Sequence, residues 1–382
     1  MENIADIRAK IDKIDGQLCD LLKERLSTMA DMAEAKRRLG KPINDPARER
    51  EILNRLMDRV GPEYETEVRL LFSTLFNLTK AKQRILQKGT SPLTEAITAA
   101  CAEEKAFPTR TLVACSGVEG SYAQQATCQM FRVPTILYFN SFDKVFEAVE
   151  SGLCPYGVLP VENSAAGSVG SVYDAMVKHH FYIVKSLRLR INHVLLGNPG
   201  ATLAGITEIS SHQHALAQCN NFLRNHPNIK LDTAPNTATA AKTLSESGRL
   251  DMAVIASRSC AELYGLDVLA DNVADTQFNY TRFICISKNL EIFQDARKLS
   301  IMLILPHQPG SLNELLARFS AIGVNLTKLE SRPIPGSDFE FLFTFDFEAS
   351  PHDERVLRLL AELSTDPTIT HFTFLGAYGE EH

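Results

Sequence analysis

Tryptophan is absent from this 382-residue chain, and so is any basic excess: 40 Lys and Arg stand against 46 Asp and Glu, for a formal net charge of −6. Without a basic field there is little to hold a phosphate backbone, so no nucleic-acid partner is expected. No apolar run approaches the length that spans a bilayer, and no membrane association is expected. Met1 to Lys10 carries charge at nearly every turn and lacks an apolar stretch, unlike a secretory signal, so the expected location is cytoplasmic. C-x-x-C pairs are missing too. The eight cysteines (Cys19, Cys101, Cys115, Cys128, Cys154, Cys219, Cys260, Cys285) are scattered, which argues against a zinc site and a disulfide framework and for reduced packing residues. Gly117-x-x-Gly120 lacks the third glycine and the later acidic residue of a dinucleotide fingerprint. His212 and His214 diverge at a helix start without an accompanying carboxylate or cysteine. No cofactor and no metal are expected. Sequons at Asn77, Asn279 and Asn325 are read as chance, because nothing delivers the chain to a glycosylating compartment.

What is present divides into three parts, as the length suggests. Residues 1–88 have almost no strand signal, and Ile4, Ile7, Ile11, Ile14, Leu18 and Leu21 alternate at spacings of three and four, the seam of a long helix. That helix should stop at Gly40-Lys41-Pro42, a second should open at Asp45-Pro46, and a third should cover roughly 65–87. Residues 89–109 read as a linker with one helical stretch. From 110 to 290, short apolar runs such as TLVAC, GVLPV, MAVIA and FICIS alternate with helical stretches, an α/β pattern best divided into two lobes with a cleft between them. Residues 298–378 give strand, helix, two strands, helix, strand, with Phe339, Phe341, Phe343, Phe345 and Phe347 alternating along one strand; this βαββαβ order is the ferredoxin-like unit.

The helical part places a cation where its seam should be apolar. Arg25 occupies the next core position after Leu21, and a buried guanidinium needs an anion. Lys36 lies about 20° around the helix and about 16 Å along it, so both can enter one pocket from opposite ends. Arg8, about 25 Å from Arg25 on the same helix, cannot join them and would serve the pocket of a partner protomer. An internal ion pair between Arg25 and Glu49 is the plainer alternative. The further polar set of Asp45, Arg48, Glu49, Thr79 and Gln83 favours a polar guest instead, Thr79 and Gln83 sharing a helical face at i,i+4.

On these residues segment 7–88 resembles the all-helical chorismate mutase family, matching IRAKID, LLKER, AEAK, NDPARERE and TKAKQ in register. The resemblance implies an intertwined helical dimer. It assigns Arg25 and the partner's Arg8 to substrate carboxylates, Lys36 and Gln83 to the ether oxygen, and Asp45, Arg48 and Glu49 to the ring hydroxyl end, with Thr79 where the family usually has Ser. A Claisen rearrangement needs a reactive conformer and stabilisation of charge on the breaking C–O bond, without nucleophile or proton transfer.

The loops after the α/β strands are polar: Ser116 to Tyr122, Glu162-Asn163-Ser164, Ser211-His212 and Asn236-Thr237. Helix capping accounts for many such residues one by one. Taken together they resemble prephenate dehydratase, carried by VLPVENSAAGS at 158–168, SHQHALAQC at 211–219 and NYTRF at 279–283. The family implies a two-lobed, periplasmic-binding-protein-like fold with substrate in the cleft. Thr281 would be the principal catalytic residue, with Asn163, Ser211 and Gln218 around the substrate and Glu162 and Arg282 as further binding residues. Departures from the family's pattern are Val118 for Pro and Gln213-His214 for Pro-Gln.

Residues 306–333 resemble an ACT domain of the dehydratase type, with its ESRP motif at Glu330-Ser331-Arg332-Pro333. This implies L-phenylalanine bound at a paired interface near Gly310, Ser311 and Leu312, Ser311 standing where Ala is more usual. The alternative is a plain dimerisation module. The three resemblances together imply a multidomain enzyme of phenylalanine biosynthesis that rearranges chorismate to prephenate and converts prephenate to phenylpyruvate. It would be inhibited by L-phenylalanine and work as a homodimer or dimer of dimers. A solute-binding protein would share the lobes but not the mutase helices, and a fused prephenate dehydrogenase would need a dinucleotide fingerprint. A preference for arogenate stays open.

Overall fold

The computed structural model describes residues 3–88, 91–276, 278–334 and 340–381. Met1, Gly89 and Thr90 at the start of the expected linker, and Phe339 of the alternating phenylalanines lie outside the described residues. Among the described residues no helix is long and apolar enough to cross a membrane.

Three helices form the N-terminal part: α1 (Ile4–Arg38), α2 (Pro46–Val60) and α3 (Glu65–Lys88). Local chemistry sets their ends. Asn3 caps α1, which stops just before Gly40 at a φ of 60°. Asp45 accepts from the Arg48 amide at 3.0 Å, and Pro46 fills the first helical position of α2. Few side chains are buried here, among them Ala33, Phe76, Thr79 and Gln83. The seam residues Ile4, Ile7, Ile11, Ile14, Leu18 and Leu21 are 43 to 67% exposed, so most of α1's apolar stripe has no partner within one chain.

The expected linker is mostly a helix, α4 (Pro92–Ala102). Leu93, Ile97, Ala100 and Cys101 recur on one face and join a core with Leu299, Phe345 and Leu363. Periodicity over 11 residues makes the segment part of the C-terminal core, against the expectation of a connector.

The α/β part opens with β1 (Arg110–Ser116), α5 (Tyr122–Met130), β2 (Val133–Phe139), α6 (Phe142–Glu150), β3 (Tyr156–Asn163), β4 (Gly167–Ser168), α7 (Gly170–His179) and β5 (Tyr182–Arg190). The chain then enters a second lobe with its own five-stranded sheet. That lobe holds β6 (His193–Gly197), β7 (Glu208–Ser211), α8 (Gln213–Gln218), α9 (Asn220–Arg224), β8 (Lys230–Thr233), α10 (Thr237–Ser247), β9 (Met252–Ser257), α11 (Arg258–Tyr264) and β10 (Asp267–Ala270). It returns as β11 (Tyr280–Ser287), which inserts antiparallel between β5 and β3. Two lobes with separate sheets agree with the expectation.

The last part is β12 (Lys298–Ile304), α12 (Ser311–Ala321), β13 (Asn325–Pro333), β14 (Phe341–Glu348), α13 (Glu354–Thr365) and β15 (Thr370–Glu381). Phe345 and Phe347 alternate inward beneath α12 and α13. The strand order is β13-β14-β12-β15, and β15 continues past the expected end at 378. Its last residues, Gly379 to Glu381, pair parallel with Lys185 to Leu187 of β5. The C-terminal sheet and the first lobe's sheet are therefore one continuous sheet.

Glycine permits that junction. Gly376 has a φ of 141°, and a Cβ there would lie 2.2 Å from the Ile183 carbonyl oxygen. Gly376→Ala is expected to destabilise the α/β and C-terminal parts by on the order of 3 kcal/mol, read as a lowered midpoint in thermal unfolding.

Candidate active sites

In the helical part, α3 sets Thr79 and Gln83 against α1, and both are buried. Arg25 donates to Thr79 Oγ1 at 2.7 Å and stands over the Phe76 ring, and burial lowers its pKa. Lys36 donates to the Ile43 carbonyl oxygen at 2.7 Å. Neither cation pairs with a carboxylate among the described residues; Glu49 instead pairs with Lys80 at 3.2 Å. Two buried acceptors, Gln83 Oε1 and Asn44 Oδ1, have no hydrogen-bond partner among the described residues. The alternative of an Arg25–Glu49 ion pair is thus not what forms. Arg48 does not join the group: its side chain pairs with Glu51 at 2.5 Å and is half exposed. Asp45 is engaged as the α2 cap, and Arg8 lies on the exposed face of α1.

In the α/β part the strand period of two separates neighbouring residues onto opposite faces. Across β3 and β11, Asn163 is opposite Thr281 and Glu162 is opposite Arg282. The first pair faces the cleft. Asn163 Nδ2 donates to Asn279 Oδ1 at 2.8 Å and to Thr281 Oγ1 at 2.9 Å. Asn279 Nδ2 donates to Gln218 Oε1 at 2.8 Å, and Gln218 Nε2 donates to Asn163 Oδ1 at 3.3 Å. Three carboxamides thus form a closed ring of hydrogen bonds running in one direction. Gln218, at the end of α8, comes from the second lobe and the others from the first. Thr281 Oγ1 accepts from this ring, so its own proton is free to be given away.

Ser211 lies outside the ring, its hydroxyl committed to the Ile255 carbonyl oxygen at 2.6 Å. The glycine loop after β1 ties the lobes together. Gly120 O accepts from Ser257 at 3.2 Å, and Glu119 O accepts from Tyr264 at 2.6 Å. Gly117 and Gly120 both have positive φ, which this sharp loop requires.

The second pair, Glu162 and Arg282, faces away from the cleft, toward the C-terminal part. Arg282 is buried, ion-paired to Asp346 of β14 and, at 3.1 Å, to Glu380 of β15, and donates to Tyr378 at 2.6 Å. Burial alone would lower its pKa, but Tyr378, Asp346, Tyr173 and Glu380 raise it well above the ordinary value. Lys328 bridges Glu162 at 3.3 Å and Glu330 at 3.0 Å, and Lys298 holds Glu380 at 2.9 Å. Glu162, Arg282, Lys298, Lys328 and Asp346 border a cavity of about 460 Å³ between the two parts.

The residues expected around an effector divide in two. Ser311 and Leu312 line a cavity of about 120 Å³ with His307, Phe341 and Phe343, just after Gly310, which precedes α12 at a φ of 90°. Glu330 and Arg332 turn to the first lobe, where Glu330 accepts from Ser168 at 2.6 Å and Arg332 donates to the Gly170 carbonyl oxygen at 2.9 Å. Ser331 and Pro333 continue β13 beside Phe343 and Phe341.

Sequence reasoning missed Asn279, His193 and the set around Arg282: Asp346, Tyr378 and Glu380. Asn279 had a signal: two residues before Thr281 in NYTRF, it falls on the same strand face. Asp346, Tyr378 and Glu380 come together around Arg282 only through the sheet junction, and His193 meets Gln218 only where the chain crosses between lobes.

The geometry describes an enzyme with two separate polar sites, and comparison with known proteins agrees. The chorismate mutase type II family model matches residues 7–84, and the prephenate dehydratase model matches residues 113–291. The bifunctional chorismate mutase/prephenate dehydratase of Enterobacter agglomerans is 30% identical over 98% of this chain and 96% of its own length. Arogenate dehydratase/prephenate dehydratase 1 of Arabidopsis thaliana is 39% identical over 65% of this chain and 67% of its own length. The crystal structure of a prephenate dehydratase from Arthrobacter aurescens in complex with L-Phe is 31% identical, with a TM-score of 0.63 over 70% of this chain and 90% of that one. These matches define an isomerase joined to a carbon–oxygen lyase. The chain belongs to the bifunctional chorismate mutase/prephenate dehydratase family, and it carries both enzyme domains.

Removing Asp346 would leave Arg282 with Glu380 at 3.1 Å and Glu162 at 3.9 Å as its remaining carboxylates in a buried site. Asp346→Ala is expected to cost about 3 kcal/mol, measured by denaturant unfolding.

Proposed function

We propose that residues 1–88 rearrange chorismate to prephenate, residues 110–290 convert prephenate to phenylpyruvate, and residues 298–378, with α4 packed on them, form an ACT domain that reports L-phenylalanine. The carrying observation is that, among the described residues, Arg25 and Lys36 bond only to Thr79 and the Ile43 carbonyl oxygen and have no carboxylate partner, while the buried Gln83 oxygen has no donor. A dianionic guest supplies what those cations lack.

In the mutase site Arg25, seconded by Thr79 and by the partner subunit's Arg8, binds the substrate carboxylates. Lys36 and Gln83 donate to the ether oxygen as its bond breaks, where preorganised donors lower the barrier most. Asp45, Arg48 and Glu49 hold the ring hydroxyl end, Arg48 turning inward from Glu51 when substrate enters. Dimerisation through the exposed α1 seam completes the site, since a stripe of six large aliphatic residues is costly to leave in water.

In the dehydratase site Thr281 gives its proton to the departing ring hydroxyl while carbon dioxide leaves, and the gain of an aromatic ring drives the step. Asn163, Gln218 and Ser211 surround the substrate. The outward placement of Glu162 and Arg282 favours a role in holding β11 and β3 over direct substrate contact. Binding of L-phenylalanine near Gly310 to Leu312 and the Glu330 to Pro333 strand of a paired domain inhibits the enzyme. The L-Phe complex of the Arthrobacter relative and the continuity of the C-terminal sheet with β11's sheet support this reading.

Thr281→Ala should lower dehydration by about 10²–10⁴-fold, the usual contribution of a positioned proton donor, while rearrangement persists. Arg25→Ala should lower rearrangement by on the order of 10²–10³-fold and spare dehydration. Both are read by following prephenate and phenylpyruvate from chorismate. Loss of both activities in one well-folded variant would refute separate sites, and rates unchanged by added L-phenylalanine would refute the regulatory reading.

A further inference from the structure

The direction of the carboxamide ring is set by the backbone. Asn163 Oδ1 accepts from the amides of Ala165 and Ala166 at 3.0 and 2.9 Å, so the atom there must be the oxygen and the NH₂ must face Thr281 and Asn279. The same logic passes along the ring. The Gln218 atom next to Asn163 Oδ1 must be its nitrogen, and the atom turned away must be Oε1. That oxygen lies 3.2 Å from His193 Nε2. Two acceptors cannot share a hydrogen bond, so Nε2 carries the proton.

His193 is the first residue of β6, where the chain crosses from the first lobe to the second. It is buried, its ring edge-to-face with Tyr122. Nδ1 lies 3.3 Å from the Tyr122 hydroxyl, whose proton can turn to it or to the Asn192 carbonyl oxygen 2.7 Å away. Burial lowers the imidazole's pKa against the opposing effect of Gln218, which keeps the ring neutral. Gln218 reaches from its own lobe to the other one. Besides Thr281, His193 is the one side chain among the described residues that bonds to the ring from outside it.

We infer that His193 is a positioning residue for dehydration: its Nε2–H holds the Gln218 amide with the NH₂ toward Asn163 Oδ1, closing across the lobe boundary the ring that steadies Asn163 against Thr281. A Gln218 amide flipped by half a turn would face Asn163 Oδ1 with its own oxygen, opposing two acceptors and breaking the ring at the lobe boundary. The inference rests on Thr281 as proton donor, but it concerns the far end of the network and is tested separately.

The test compares His193→Gln and His193→Phe in the full chain. Gln can place an N–H where Nε2–H stands, and Phe fills the space without a donor. The Phe variant should lose about 10–100-fold in dehydratase kcat, the usual effect of a group that orients a catalytic ligand. Its KM should move less than kcat, and chorismate rearrangement should be unchanged. The Gln variant should recover most of the loss. A Phe variant with wild-type kcat, or a Gln variant as impaired as Phe, overturns the proposal. Nitrogen-15 NMR of the wild-type chain gives an answer independent of variant folding and of the Thr281 result: an Nε2–H imidazole near neutral pH is expected, and an Nδ1–H imidazole overturns it.

Discussion

One buried guanidinium holds the two functional halves of the dehydratase and C-terminal parts together. Arg282 immediately follows the residue that faces the cleft, and because strand side chains alternate, it must point the other way. There it meets Asp346, Glu380 and Tyr378, each contributed by the C-terminal part. A charge this far from water is tolerable only with such partners. The position of β11, and with it the front face where Asn163 meets Thr281, is thereby tied to a set of acids some hundred residues away or fewer in sequence. The catalytic face and the C-terminal sheet are two sides of one strand.

The helical part follows a different economy. Among the described residues it has few buried side chains, and the apolar stripe of α1 is exposed while Arg25 turns toward α3. This reverses the usual pattern of a soluble helix pair. Both oddities fit the proposed function: a bundle that encloses a charged guest would devote interior positions to polar groups, and would recover burial by pairing with another copy. The two enzyme parts thus solve charge placement in opposite ways. The helices leave Arg25 and Lys36 without carboxylates among the described residues, while the sheet sets Asp346 and Glu380 against Arg282.

Much of this was legible in the residues. The three-part division, the capping residue Asp45, the seam of α1 and the conflict posed by Arg25 all follow from spacing and local chemistry. Strands β1, β3, β9 and β11 announced themselves as apolar runs. The shared face of Asn163 and Thr281 was foreseeable in part, since both lie in marked loops, but the register that joins them is a long-range pairing. What could not be read was the outward turn of Glu162 and Arg282, which depends on a one-residue alternation, and the buried role of α4. Nor could a sequence show that Gly379 to Glu381 add to β5, because strand pairing over nearly 200 positions leaves no local trace. His193 was equally silent: a lone histidine before an apolar strand carries no sign of the amide opposite it.

The pairing of β15 with β5 has a mechanical corollary. Adjacent strands cannot creep past each other by fractions of a residue, because hydrogen bonds and side-chain faces come in discrete steps. A slip of one position would swing Glu380 away from Arg282 and Lys298 and carry Gly376 off the only backbone its bare α-carbon can press against. Any signal crossing this seam must therefore travel as tilt or twist of an intact ribbon, stiff along its length and compliant across it, like torque in a leaf spring.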